Sequence, residues 1–308
     1  MRDALCPKWD VMDNYQIFLQ LLLSGLISGS IYGLIALGFV VIYKATEVVN
    51  FAQGEIMMLG AYFCYFLITS FEISFLPAFV ITLLFAAILG ILVEALILRP
   101  MVGEPTFSVI MVTVGLATVL RSIVGLLWGH DNIAFPSPFP DSTFELFGVI
   151  VAPVEITTIV ASIGLFILLF LFFKYSKLGL ATRATAFDQR WAFLMGISVR
   201  KIFSLAWILA SVVASIGGIF LASVGGLDTA MSFIGLKVFP AVVLGGIESI
   251  AGAVLGGLIV GIVENLAGGY LSAYFGSGIK ELSAFVVLLI VLMIRPYGLF
   301  GKKEIIRV

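Results

Sequence analysis

Seven apolar runs dominate the chain: 17–43, 48–70, 75–98, 107–128, 150–173, 203–224 and 282–294 with its flanks. A bilayer crossing takes about 20 apolar residues in a helix. In hydrocarbon every backbone N–H and C=O must be paired within the protein, so such runs fold only as helices or as a closed barrel. The alternating ~10-residue strands of a barrel are absent. The chain is 61% hydrophobic and 11% charged, against about 25% charged in soluble domains. The expected fold class is an all-α polytopic membrane protein with about 7–8 transmembrane helices, a broken or re-entrant helix and a short cytosolic helix.

The runs divide the chain into an N-terminal tail at 1–16, one transmembrane domain at 17–301 and a C-terminal tail at 302–308. The first 16 residues hold no apolar core flanked by a cleavage site, so the first span serves as the insertion signal. The net charge of −1 carries no functional signal, but its distribution does. The stretch 174–201 holds Lys174, Lys177, Arg183, Arg190, Arg200 and Lys201 against Asp188. A basic excess beside spans marks the cytoplasmic side. Arg295, Lys302, Lys303 and Arg307 against Glu304 place the C-terminal tail there too. By alternation the 129–149 loop faces outward; it carries Asp131, Asp141 and Glu145 and no Lys or Arg. The region 238–268 must then begin and end on one face. It reads as a re-entrant half-helix with a return segment, or as two short broken crossings. Broken helices often mark the substrate path of transporters.

Within the basic loop, Ala184, Phe187, Trp191 and Leu194/Met195 recur at helical spacing. Arg183, Asp188, Gln189 and Arg190 lie away from that stripe. With Thr182 as N-cap and Gly196 at C′, the pattern predicts one helix of about 13 residues, near 20 Å long. Such a helix lies on lipid headgroups or enters a groove on a cytosolic partner with Trp191 and Phe187 as anchors. Asp188 and the alanines fit a protein groove better.

Few polar residues interrupt the spans. Asn50, Gln53 and Glu55 stand near the cytosolic start of the second span, and Glu248 stands at the expected break of the re-entrant element. Ionisable groups at membrane depth are functional candidates by default, so these four are candidates for the translocation path. The plainer alternative makes Asn50 a cap, Glu55 a complement to the helix dipole and Glu248 part of a hydrated bend. Glu264 and Asn265 read as solvated residues at the outer boundary, Glu94 and Arg99 as a snorkelling pair, and Arg121 as snorkelling outward. Gly25, Gly29 and Gly33, and the later Gly252, Gly256, Gly257 and Gly261, read as close helix packing. Cys6 and Cys64 are not expected to pair. His130 alone makes no metal site, and no catalytic constellation, nucleic-acid feature or Walker A pattern occurs. Any ATP chemistry therefore belongs to another chain.

The segment ATRATAFDQRWAFLMGISVRKI resembles the coupling segment of the branched-chain amino-acid family of ABC-importer permeases, a family that also serves urea, amides and other amino acids. VVNFAQGEIMMLGAY at 48–62 resembles that family's N-F-A-H-G-E segment, with Gln53 in place of the common His. KVFPAVVLGGIESIAGAVLGGLIVG at 237–261 resembles its Gly-rich block, with Glu248 and Ala251 in place of Gly and Pro. The resemblance implies half of a transmembrane pair completed by a second, homologous permease. It implies two cytosolic ATPase subunits that use ATP and Mg, an extracytoplasmic solute-binding protein, and residence in a bacterial or archaeal cytoplasmic membrane. It makes Arg183, Phe187, Asp188, Gln189, Trp191, Met195 and Gly196 the ATPase-coupling residues. This chain itself would bind no cofactor. A passive small-solute channel, which needs no such coupling helix, and an ion-driven transporter, for which Glu248 is thin support, are the competing readings; the outer loop could receive the binding protein.

Overall fold

A computed structural model describes residues 7–140, 142–146 and 149–301, with side chains from Tyr15 onward except Leu146. The 302–308 tail, Cys6 and Asp141 lie outside the described residues. Among those residues the chain forms eleven α-helices: α1 (Pro7–Thr46), α2 (Gln53–Ser70), α3 (Phe75–Val93), α4 (Thr106–Trp128), α5 (Pro153–Tyr175), α6 (Lys177–Phe187), α7 (Gln189–Leu194), α8 (Val199–Gly225), α9 (Ile234–Gly245), α10 (Ile250–Phe275) and α11 (Ile279–Ile294). Six helices are long and apolar enough to cross a membrane: α1, α3 with its continuation to Met101, α4, α5, α8 and α10. The protein is thus an all-α polytopic membrane protein. Its departures among the described residues are a small antiparallel hairpin of β1 (Phe144–Leu146) and β2 (Val149–Val151) and an isolated bridge between Ile133 and Leu227.

That hairpin takes the start of the expected 150–173 span. Val149, Ile150 and Val151 are β-branched and favour extended backbone. Pro153 then opens α5 at its first turn. The Gln20 side chain pins the hairpin to α1: its Nε2 donates to the Ile150 carbonyl and its Oε1 accepts from the Ile150 N–H.

Burial identifies the centre. In α1, 89% of the most apolar window is buried, against 22% in α5, so α1 is the central post and α5 belongs to the rim. α8 and α10 pack on α1, and α2 and α3 pack on α8. The two glycine stripes of α10 face different partners. A Cβ on Gly25 would sit 2.7 Å from the Ile262 Cα, and one on Gly29 would sit 2.8 Å from the Leu258 Cα. From the other side, Gly257 and Gly261 lie against Gly33 and Gly29. Gly252 and Gly256 instead face Gly245 and Ala241 on α9. Backbone contact on both sides needs residues without a side chain.

The 238–268 region divides at Gly246–Ser249. Gly246 turns the chain with φ +100°, a value natural to glycine. Ser249 caps α10 by accepting from the Gly252 N–H at 3.0 Å. The segment is therefore a short helix, α9, followed by one long uninterrupted helix, α10. The described C-terminal segment adds to the α9 end, where the Leu299 and Phe300 N–H groups donate to the Leu244 and Gly245 carbonyls. Ile250 packs with Val41, Ala45, Phe173, Ile202 and Phe203 beside the basic loop. The Gly246–Ser249 turn and residues 295–301 thus share the basic-loop face.

Candidate functional site

The basic loop folds as two helices where the sequence suggested one. Ser176 caps α6, and Thr182 lies inside that helix with its hydroxyl donating to the Leu178 carbonyl. The expected cap at Thr182 is therefore corrected to Ser176. At Asp188 the backbone is extended, and its carboxylate accepts from the Arg190 and Trp191 N–H groups at 2.7 and 3.0 Å. Asp188 is thus the N-cap of α7. Aspartate competes for backbone N–H groups, which makes it a better cap than a helix-interior residue. Gly196 stops the segment with φ +81°.

This elbow leaves Phe187, Trp191, Phe193, Leu194 and Met195 exposed, Phe187 at 91%. Phe193 does not stand out in the sequence, because it falls off the single-helix stripe and joins the surface only once the helix breaks. Arg183 is exposed and its guanidinium donates to the Lys174 carbonyl at 3.3 Å. Gln189 turns the other way. It lines a cavity of about 200 Å³ with Glu47, Glu94, Arg99 and Glu104. Beside it Glu94 forms the expected pair with Arg99 at 2.6 Å, and the Ser204 hydroxyl of α8 donates to the same carboxylate at 2.7 Å.

The second group surrounds the start of α2. The sequence suggested that Asn50, Gln53 and Glu55 stand near the cytosolic start of a span; the structure places them deeper. After α1 ends, Glu47 turns with φ +59° and residues 48–52 run back into the protein without helix. Gln53 donates to the carbonyl of Ala210, near the middle of α8, and abuts Gly38 of α1. Gly38 precedes the end of α1 by eight residues, roughly 12 Å of helix. Non-helical backbone at that depth must find partners within the protein. Here the Phe51 N–H donates to the Thr113 hydroxyl and the Ala52 N–H to the Asn50 side chain. Asn50 in turn donates to Gln53 at 3.2 Å. Asn50 and Gln53 are fully buried.

Glu55 forms an ion pair with Arg121 of α4. The expected snorkelling of Arg121 is corrected: the guanidinium turns inward to this carboxylate and lies 4.1 Å over the Phe233 ring. A charge two-thirds along an apolar helix is more stable against a buried counter-charge than in hydrocarbon. Spacing along one helix could not reveal this pair, since its partners are 66 residues apart. Glu264, read as solvated, is instead buried within electrostatic reach of the Tyr32 hydroxyl. Glu248 is exposed in the Gly246–Ser249 turn and does not join the Asn50–Gln53–Glu55 group.

A cavity of about 650 Å³ opens at the end of α8 remote from the basic loop. Asn132, Asp228, Met231, Phe233, Lys237 and Glu281 are among its walls, and Lys237 pairs with Glu281. Asp228 caps the 3₁₀ turn Thr229–Phe233, and that turn carries Phe233 to the cavity wall. Among the described residues no group of three His, Cys, Asp or Glu side chains is placed to hold a metal ion.

Comparison with known proteins agrees with this architecture. The family described as branched-chain amino acid transport system / permease component matches residues 21–295. The high-affinity branched-chain amino acid transport system permease protein LivH of Salmonella typhimurium is 30% identical, over 96% of this chain and 99% of its own. The corresponding BraD of Pseudomonas aeruginosa is 32% identical, over 94% and 98%. The probable LivH of Methanocaldococcus jannaschii is 30% identical, over 92% of each chain. Among solved structures, PsaBC from Streptococcus pneumoniae in complex with Fab aligns with a TM-score of 0.51 at 16% identity, over 95% of this chain and 98% of that one, a likeness of fold alone. With a match across nearly its whole membrane region, this chain belongs to the family of permease components of branched-chain amino acid transport systems.

Proposed function

We propose that this permease component forms half of the transmembrane pathway of an ATP-driven importer for branched-chain or closely related amino acids. A second, homologous permease supplies the other half. Two cytosolic ATPase subunits, which use ATP and Mg, drive it, and an extracytoplasmic solute-binding protein delivers the cargo. The named relatives are branched-chain amino acid permeases, which supports the cargo. The 238–268 region is the broken element, in which α9 runs to the basic-loop face and α10 returns from it, and that face is cytosolic.

The observation that carries the reading is the elbow at 187–195. It exposes five large apolar side chains on and beside a short capped helix amid basic residues. Phe187 and Trp191 supply aromatic anchors for a partner groove. Met195 extends the apolar surface, and Asp188 sets the angle between the two helices. Arg183 flanks the surface, Gly196 releases the chain toward α8, and Gln189 reaches the cavity beneath the elbow. Motion of the ATPases then rocks the membrane helices between two access states, and nucleotide contacts bias the two. Asn50, Gln53 and Glu55 line or brace the path at mid-depth. Glu248 lies at its basic-loop end.

The test is uptake in reconstituted vesicles. Asp188→Lys or Trp191→Ala is expected to lower ATP-dependent leucine uptake at least about fivefold at equal protein level, the effect of losing an interface anchor worth more than ~1 kcal/mol. Copurification with the ATPase subunits should weaken in parallel. Normal uptake by both variants sinks the coupling role. Uptake that continues after ATP depletion points to a passive channel.

A further inference from the structure

We propose that Arg121 is the point in the pathway that receives the carboxylate of the passing amino acid, with Phe233 as the plug that covers it from the cavity side. The inference rests on the amino-acid importer reading above.

Arg121 is incompletely satisfied where it stands. It pairs with Glu55, yet its Nε is buried with no hydrogen-bond partner. The Glu55 side chain is only 3% exposed, while that of Arg121 is 33% exposed. The cation therefore has an open side and its counter-charge does not. An open arginine at this depth cannot face hydrocarbon cheaply, so the surface around it is wet or covered by protein.

A narrow polar strip on α4 accompanies it, between exposed Met111, Val114, Val119 and Ile123. Gly115, Thr118 and Ser122 are exposed on one helical face, and Gly115 has open space before it. The exposed faces of α3 and α5 carry Leu84, Ile88, Ile163 and Ile167. Those faces suit lipid; on α4 the strip of Gly115, Thr118 and Ser122 beside Arg121 suits a narrow hydrated path.

Phe233 connects this surface to the cavity. Its ring lies 4.1 Å from the Arg121 guanidinium carbon, and the same residue lines the cavity of about 650 Å³. A solute descending that cavity meets Phe233 first and the arginine behind it. Withdrawal of the ring exposes a guanidinium with an unused N–H, suited to a carboxylate. Glu55 keeps the arginine paired when no solute is present. Binding here adds one charge-assisted contact to an arginine already held by Glu55, which keeps it weak enough for release.

The test uses the complete transporter in proteoliposomes, with leucine as probe at saturating binding protein. Copurification with the ATPase subunits reports assembly. Arg121→Gln is expected to lower the maximal uptake rate about tenfold or more, the scale of one lost charge-assisted hydrogen bond. Arg121→Lys should retain a measurable part of it. The exchange Glu55→Arg with Arg121→Glu restores opposite charges, but places the cation at the enclosed position; it should assemble and still fail to transport. Wild-type uptake by Arg121→Gln, or recovery of uptake by the exchange, overturns the inference and leaves the importer reading standing. Should Arg121→Gln and the exchange fail to assemble, Arg121→Lys decides, since it keeps the charge and loses only the planar fork: a full wild-type rate overturns the proposal. Wild-type vesicles that import no α-amino acid overturn both the proposal and the reading beneath it.

Discussion

At the residue scale, the chain spends its glycines where backbones meet. Gly29 faces the Leu258 Cα across α1 and α10, and Gly261 faces Gly29 in return. Gly29→Val should destabilise by about 1–3 kcal/mol, since overpacking at a backbone contact forces helices apart. Thermal unfolding of the detergent-solubilised protein measures it; an unchanged midpoint would show that the helices separate freely. Gly115→Ala, which meets open space, is the control. The four-residue spacing of Gly25, Gly29 and Gly33 makes this contact legible in the sequence. The identity of the partner helix is not legible, because spacing along one helix does not say what it packs against. Arg121 and Glu264 escape a sequence reading for the same reason. Each looks like a lone charge near a helix end, and each finds its surroundings on a distant helix.

At the element scale, the basic loop shows how one residue changes a reading. Helical periodicity through Phe187, Trp191 and Met195 is real, yet Asp188 interrupts it by capping α7. Asp188→Asn keeps a side-chain oxygen for the Arg190 and Trp191 N–H groups and should retain most uptake. Asp188→Ala removes the cap, worth ~1 kcal/mol, and should reduce uptake by loosening the elbow. Equal uptake by the two variants would show that cap geometry is irrelevant to transport. The start of α2 is legible only in part. Asn50, Gln53 and Glu55 stand out as polar residues in an apolar run, but their depth depends on residues 48–52 folding inward. That path rests on the Thr113 hydroxyl and the Ala210 carbonyl, supplied by α4 and α8. The short hairpin at 144–151 likewise depends on a pairing that hydropathy does not register.

At the scale of the whole molecule, apolar runs and charge asymmetry make the membrane class and the order of helices readable, and family-like segments make the transport role readable. The layering of helices comes only from the structure. Buried α1 and α8 should show the slowest amide exchange, while 47–49 and 187–196, with fewer buried contacts, should exchange fastest. Hydrogen–deuterium exchange resolves both; fast exchange throughout α1 would contradict a central post. The interlocked glycines carry one more consequence. Where two helices meet backbone to backbone, no side chain lies between them to change rotamer, so neither can slide along the other without climbing over its atoms. α1 and α10 therefore behave as a single keel, and opening and closing must be hinged in the lighter planking around it.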